Sequence, residues 1–157
     1  LSGGSSVGAR DLSAQLIEEL GEPGLLFHGL ALRPGKPTIG GVVDGKLIFG
    51  LPGHPASAMV VFDTIVRPWL DASVLQLNSQ SDPRPKGTLT QNLYSGSGRE
   101  EFVRVRLVPD GENWRVEPIR GKSGLIRTMV LADALLHIHL DTEGLEAGKE
   151  VSFRLLR

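Results

Sequence analysis

At 157 residues and 40% apolar composition, the chain is long enough for one ordinary domain or two small ones with a real core. Lys+Arg 17 against Asp+Glu 18 leave a net charge of −1, which excludes the global basic field of a nonspecific nucleic-acid binder. Zero cysteines exclude disulfides, thiolate metal sites and cysteine nucleophiles, and no apolar run approaches the roughly 20 residues of a bilayer span, so the expectation is a soluble, cytoplasmic protein.

The chain opens on a Gly/Ser-rich stretch, residues 2–8, containing Gly3, Gly4, Ser5, Ser6 and Gly8. Glycines permit a concave backbone whose N–H groups cradle a phosphate, although such a loop is also an ordinary connection. Asp11 follows, either as the cap of the next helix or as a carboxylate that holds Mg²⁺ beside a bound phosphate. The spacing predicts a helix over 11–20, with Leu12, Leu16, Ile17 and Leu20 on one buried face and Gly21 as its stop. Residues 25–32 read as a buried strand. Residues 38–50 read as a hairpin turned by Asp44-Gly45.

Between those elements, Arg33 and Lys36 flank a Pro-Gly turn that ends at Pro37. They are two solvated surface charges, or two cations projected from a rigid corner toward one dianion. The most informative stretch is 50–58, which joins a strand to a helix through Gly53, His54 and Pro55 and places Ser57 in the first helical turn, beside unpaired N–H groups that attract anions. The helix that begins there carries Met59, Val60, Phe62, Ile65, Val66 and Leu70, and is expected to be deeply packed; Pro68 is expected to kink or end it.

A linker-like segment, 78–85, separates these elements from a region of period two. Val103, Val105 and Leu107 alternate with Arg104 and Arg106, Trp114 and Val116 alternate with Arg115 and Glu117, and Val151, Phe153 and Leu155 follow near the end. Short strands with turn signals such as Pro109-Asp110-Gly111 predict a small β-barrel or sandwich, interrupted by one short helix near 125–132. The four histidines, His28, His54, His137 and His139, show no metal-ligand spacing with a visible third ligand. Arg99 and Ser123 read by themselves as a strand-end arginine and a turn serine.

In family order and spacing, the Gly/Ser loop with Arg10 and Asp11, the corner from Arg33 to Pro37, and the run from Gly50 to Ala58 are followed by Gly98-Arg99-Glu100-Glu101-Phe102. Gly121-Lys122-Ser123-Gly124, Ala132-Asp133-Ala134-Leu135 and Gly144-Leu145-Glu146-Ala147-Gly148 complete the series. With these motifs the chain resembles the C-terminal part of the MoeA/gephyrin-type molybdopterin molybdenumtransferases over essentially its whole length.

The resemblance implies an α/β fold, the second half of a MogA-like pterin-binding domain, over 1–74, followed by a small all-β barrel domain over 75–157. It implies insertion of molybdate into adenylylated molybdopterin with Mg²⁺, in an enzyme that works as a homodimer. By position, Gly3, Gly4, Ser5 and Ser6, with Gly53, His54 and Pro55, would bind the pterin substrate. Asp11 would be the catalytic, Mg²⁺-side carboxylate. Arg33, Lys36, Pro37, Ser57, Arg99 and Ser123 match the positions that line the family's molybdate pocket.

Departures are Arg33 for the common lysine, His54 for asparagine, Ala9 for a frequent acidic residue and His139 for proline. Because the first half of the α/β domain is absent from this sequence, the expectation for the chain alone is negligible turnover. A noncatalytic anion-binding or scaffold module is the alternative reading, and tungstate is the alternative oxyanion. Neither nucleic acid nor membrane is expected as a partner.

Overall fold

A computed structural model describes residues 1, 12–75, 84–119 and 126–156 of the chain. It divides into two compact units, Leu1–Ser79 and Gln80–Arg157. Gly3, Gly4, Ser5, Ser6, Asp11 and Ser123 lie outside the described residues, as does most of the linker-like segment.

Unit 1 is built on a three-stranded antiparallel sheet. It contains β1 (Pro23–His28), a two-residue strand β2 (Leu32–Arg33), β3 (Ile39–Val43) and β4 (Lys46–Gly50), with the sheet order β1-β3-β4. The β3–β4 hairpin pairs Val43 with Lys46 around Asp44 and Gly45. Their φ values of 50° and 73° are the positive angles that a two-residue hairpin turn demands.

The helix α1 (Leu12–Glu19) lies on one face of this sheet, where Ala14, Ile17 and Ile39 are buried among Leu25, Val43 and Ile48. The buried face shares only Ile17 with the predicted one. Leu12, Leu16 and Leu20 are 67%, 54% and 60% exposed, while Ile17 is 1% exposed. The reason is a notch in the sheet: a Cβ at Gly41 would come within 2.4 Å of the Ile17 side chain. The bare backbone of β3 admits Ile17, and the helix turns its Ala14–Ile17 side inward to use that fit.

After β4 the chain enters a continuous helical stretch, α2 (Pro55–Val61), a π-helical turn (Phe62–Val66) and α3 (Arg67–Ser73). Pro68 neither ends nor breaks it. Proline has no N–H and its ring crowds the carbonyl four residues back; here the turn before it widens, so that the Arg67 N–H donates to the Phe62 carbonyl. The deep packing expected of this helix is found only in part. Ala56, Ser57, Val60, Val61 and, in the π-helical turn, Val66 are buried, but Met59 and Phe62 are 50% and 42% exposed and α3 buries no residue. Trp69 of α3 meets Phe49 of β4 edge-to-face, with ring centroids 6.1 Å apart.

Unit 2 is a closed five-stranded β-barrel. Its strands are β5 (Lys86–Leu89), β7 (Glu100–Asp110), β8 (Asn113–Pro118), β9 (Ala134–Ile138) and β11 (Glu150–Leu155), joined in the order β7-β8-β5-β11-β9 and closed by β9 against β7. Only the β5–β8 pair is parallel. Closure leaves no strand of the barrel with an unpaired side. The alternation read from the sequence puts Val105, Val116, Val151 and Phe153 inside, with Leu89, Ala134 and Leu136. A short ribbon, β6 (Leu93–Tyr94) with β10 (Gly144–Leu145), stands beside the barrel strands, and the expected short helix is α4 (Ile126–Val130).

Candidate functional site

The cationic corner of unit 1 is a turn over residues 34–37 that follows the cis Arg33–Pro34 peptide bond. Three hydrogen bonds fix it. The Thr38 hydroxyl donates to the Gly35 carbonyl at 2.6 Å, the Leu30 N–H to the Lys36 carbonyl at 2.9 Å, and the Gly29 N–H to the Thr38 carbonyl at 2.8 Å. Thr38 is fully buried, so its hydroxyl anchors the turn from beneath. Gly35 has φ 133°, and a Cβ there would fall 2.7 Å from the Val61 side chain of α2 and 2.9 Å from Leu32. The turn is therefore seated on α2, with Arg33 and Lys36 exposed and Pro37 half-buried between them and Thr38.

The second predicted stretch enters α2 within the same unit. His54 precedes the helix in extended conformation (φ −77°, ψ 120°), and its carbonyl accepts the Ser57 and Ala58 N–H groups at 2.9 and 3.0 Å. Its imidazole makes no cap bond and is exposed, as are Gly53 and Pro55. Ser57 is buried, 6% exposed, on the inner side of the first turn. A shallow apolar groove nearby is lined by Leu51, Ala58, Met59, Phe62 and Asp63, none of which is a predicted site residue.

In unit 2, Arg99 stands immediately before β7 and is half-buried. Its Nε is buried without a hydrogen-bond partner among the described residues. The guanidinium lies against Gly96, where a Cβ would come within 3.0 Å of Nη2, 3.2 Å of Cζ and 3.4 Å of Nε. The loop that presents it is pinned: the Ser95 N–H donates to the Glu143 carbonyl at 2.9 Å, the Gly98 N–H to the Leu140 carbonyl at 3.0 Å, and the Ser95 hydroxyl to Glu101 at 2.8 Å.

Next to Arg99 the barrel carries a cluster that the sequence does not announce. The β7–β9 register sets Phe102 opposite His137, so Glu100, Phe102, His137 and His139 share one face. Phe102 and His137 stack with centroids 4.6 Å apart at 5°. Glu100 is hydrogen-bonded to His137 and lies 3.7 Å from His139 Nε2, while His139 Nδ1 lies 3.2 Å from Asp141. Partial burial pushes the Glu100 carboxyl up. The His137 hydrogen bond, the His137 and His139 charges and the Leu140 N–H outweigh that and hold it below the usual glutamate value. Glu100 is the carboxylate partner that the His137/His139 spacing lacked, yet among the described residues no three such groups are disposed to hold a metal ion. Its only signal was the cross-strand register, which a sequence does not print.

Two family models match the chain in tandem. The probable molybdopterin binding domain matches residues 1–72, and the MoeA C-terminal region (domain IV) matches residues 86–156. A Methanocaldococcus jannaschii relative, whose name assigns it to molybdopterin biosynthesis, is 32% identical over 100% of this chain and 36% of its own length. A molybdopterin molybdenumtransferase of Bacillus subtilis is 29% identical over 99% of this chain and 36% of its own. Among solved structures, a MoeA molybdopterin biosynthesis protein of Pyrococcus horikoshii matches with a TM-score of 0.76 and 36% identity, over 94% of this chain and 35% of that one. The chain thus spans about a third of the length of these relatives. Both family matches, in this order along the sequence, and the barrel that the second of them occupies place the chain in the MoeA-type molybdopterin molybdenumtransferase family, as a segment that corresponds to its C-terminal region.

Proposed function

We propose that this chain is the C-terminal part of an enzyme that inserts molybdate into adenylylated molybdopterin, and that Arg33, Lys36, Pro37, Ser57, Arg99 and Ser123 are oxyanion-binding residues. The observation that carries this reading is the Arg99 Nε–H, buried without a hydrogen-bond partner among the described residues. An orphaned, charge-bearing donor costs free energy unless an anion takes it up. A small tetrahedral dianion suits these residues: a guanidinium offers paired N–H groups, an ammonium a compact charge, and a hydroxyl a neutral donor, with no bulky base among them. The turn that holds Arg33 and Lys36 is fixed before any ligand arrives, which lowers the cost of binding.

On this reading Gly3, Gly4, Ser5 and Ser6, together with Gly53, His54 and Pro55, hold the pterin substrate. Asp11 supplies the carboxylate for Mg²⁺, an ion that ordinarily binds one or two carboxylates together with substrate phosphates. Mg²⁺ held there would supply charge neutralisation for cleavage of the adenylate. The complete enzyme works as a cytoplasmic homodimer, and the isolated chain turns over negligibly.

Titration calorimetry of the chain with molybdate, tungstate and sulfate tests the oxyanion assignment. Arg33→Ala, Lys36→Ala, Ser57→Ala and Arg99→Ala are each expected to weaken molybdate binding roughly tenfold, the scale of one charge-assisted hydrogen bond. Molybdate affinity untouched by all four would sink the assignment. Partner capture that survives these substitutions, in a parent that binds no oxyanion, would favour the scaffold reading instead. Tungstate binding tighter than molybdate would shift the metal.

A further inference from the structure

We infer that Gly96 is a positioning residue for Arg99: its missing side chain leaves the space in which the Nε–Nη2 side of the guanidinium is held ready for an oxyanion. The inference rests on the oxyanion reading of Arg99. Three guanidinium atoms crowd the point where a Cβ at position 96 would sit, at 3.0 Å (Nη2), 3.2 Å (Cζ) and 3.4 Å (Nε). Nε and Nη2 together form the side-on edge of arginine, which receives two oxygens of one anion through parallel hydrogen bonds. These distances set that point over the guanidinium face beside the edge, so a methyl group at 96 would press on the face and on no other side chain among its nearest neighbours.

The backbone at 96 has little room to retreat. Ser95 is tied through its N–H to the Glu143 carbonyl at 2.9 Å and through its hydroxyl to Glu101 at 2.8 Å. Two residues on, the Gly98 N–H is tied to the Leu140 carbonyl at 3.0 Å. Strain at 96 is therefore relieved by the arginine, the flexible member of the contact. Gly96, unlike Gly98 with its φ of 82°, is not among the positive-φ glycines, so alanine brings no backbone penalty of its own. The effect of Gly96→Ala thus passes through Arg99.

The test is a double-mutant cycle on molybdate affinity, read by calorimetry on the whole chain, with Gly96→Ala, Arg99→Ala and both together, and with the exposed neighbour Ser97→Ala as control. Gly96→Ala is expected to weaken binding about tenfold, since misplacing a binding group by a fraction of an ångström is costly. It should add nothing once Arg99 is alanine. In parallel, the Nε–H of Arg99 should exchange faster in Gly96→Ala than in the parent, with or without molybdate, while the unfolding temperature stays put.

Arg99→Ala that binds like the parent would overturn the oxyanion role of Arg99, and the inference with it. Arg99→Ala weakened but Gly96→Ala unchanged would overturn the inference alone, as would additive losses or an unaltered Nε–H exchange rate. Should Gly96→Ala fail to fold, Arg99→Lys decides: it keeps the charge and removes the edge, so parent-like binding in that variant overturns the inference.

Discussion

Gly35 sets the geometry of the cationic corner more firmly than either cation does. Its φ of 133° and its closeness to Val61 and Leu32 leave no place for a side chain. Gly35→Ala is expected to destabilise unit 1 by about 2 kcal/mol or more, through backbone strain added to overpacking. The chain has two tryptophans, Trp69 in unit 1 and Trp114 in unit 2. Denaturation followed by Trp69 fluorescence in a Trp114→Phe background would measure the loss, and a midpoint like the parent's would refute it. At this scale the sequence was readable in part. Arg33 and Lys36 declare themselves by flanking Pro-Gly, but the clasp of Thr38 on Gly35 and the contact with Val61 depend on which atoms meet, and no spacing encodes that.

Elements show why periodicity alone falls short. The hairpin around Asp44-Gly45 was legible because its turn chemistry is local. The helix α1 was legible as a helix but only partly in its orientation: a 3.6-residue period marks a stripe of Leu12, Leu16, Ile17 and Leu20, yet the notch at Gly41 draws in Ile17 at the stripe's edge and the leucines stay exposed. The Glu100 cluster on β7 and β9 is likewise a product of pairing between distant strands. Its glutamate has a folded pKa below the ordinary value, so the stability it contributes is present above the unfolded value near 4.5 and is lost as pH falls through the folded one. Glu100→Gln is therefore expected to be less stable than the parent at pH 6, by about 1 kcal/mol or less given its partial exposure. The two proteins should converge by pH 3. Thermal unfolding across that range checks this, and a gap that stays constant with pH would assign the loss to packing instead.

For the molecule as a whole, the change from helical spacing to period two separates an α/β unit from an all-β one in the sequence itself, because burial on one face of a strand needs that alternation. Strand order was out of reach. Nothing local says that β5 runs parallel to β8 or that β7 closes on β9. The barrel's core converges on Phe153, only 1% exposed, and Phe153→Ala is expected to cost about 3–5 kcal/mol. Loss of Trp114-reported cooperativity at a lower denaturant midpoint would bear that out; a shift under 1 kcal/mol would show that other side chains fill the cavity.

The placement of β11 between β5 and β9 also bears on how this unit comes into being. Residues 150–152 pair with 86–88, and 153–155 with 134–136, so the cylinder is completed by pairing between strands far apart in the sequence. Topologies of such high contact order fold slowly, in milliseconds to seconds. Until that late segment docks, two neighbouring ladders stand half-made with their amides and carbonyls open to any extended peptide. During synthesis, the interval before β11 emerges is when a strand from another nascent copy competes for the same slot.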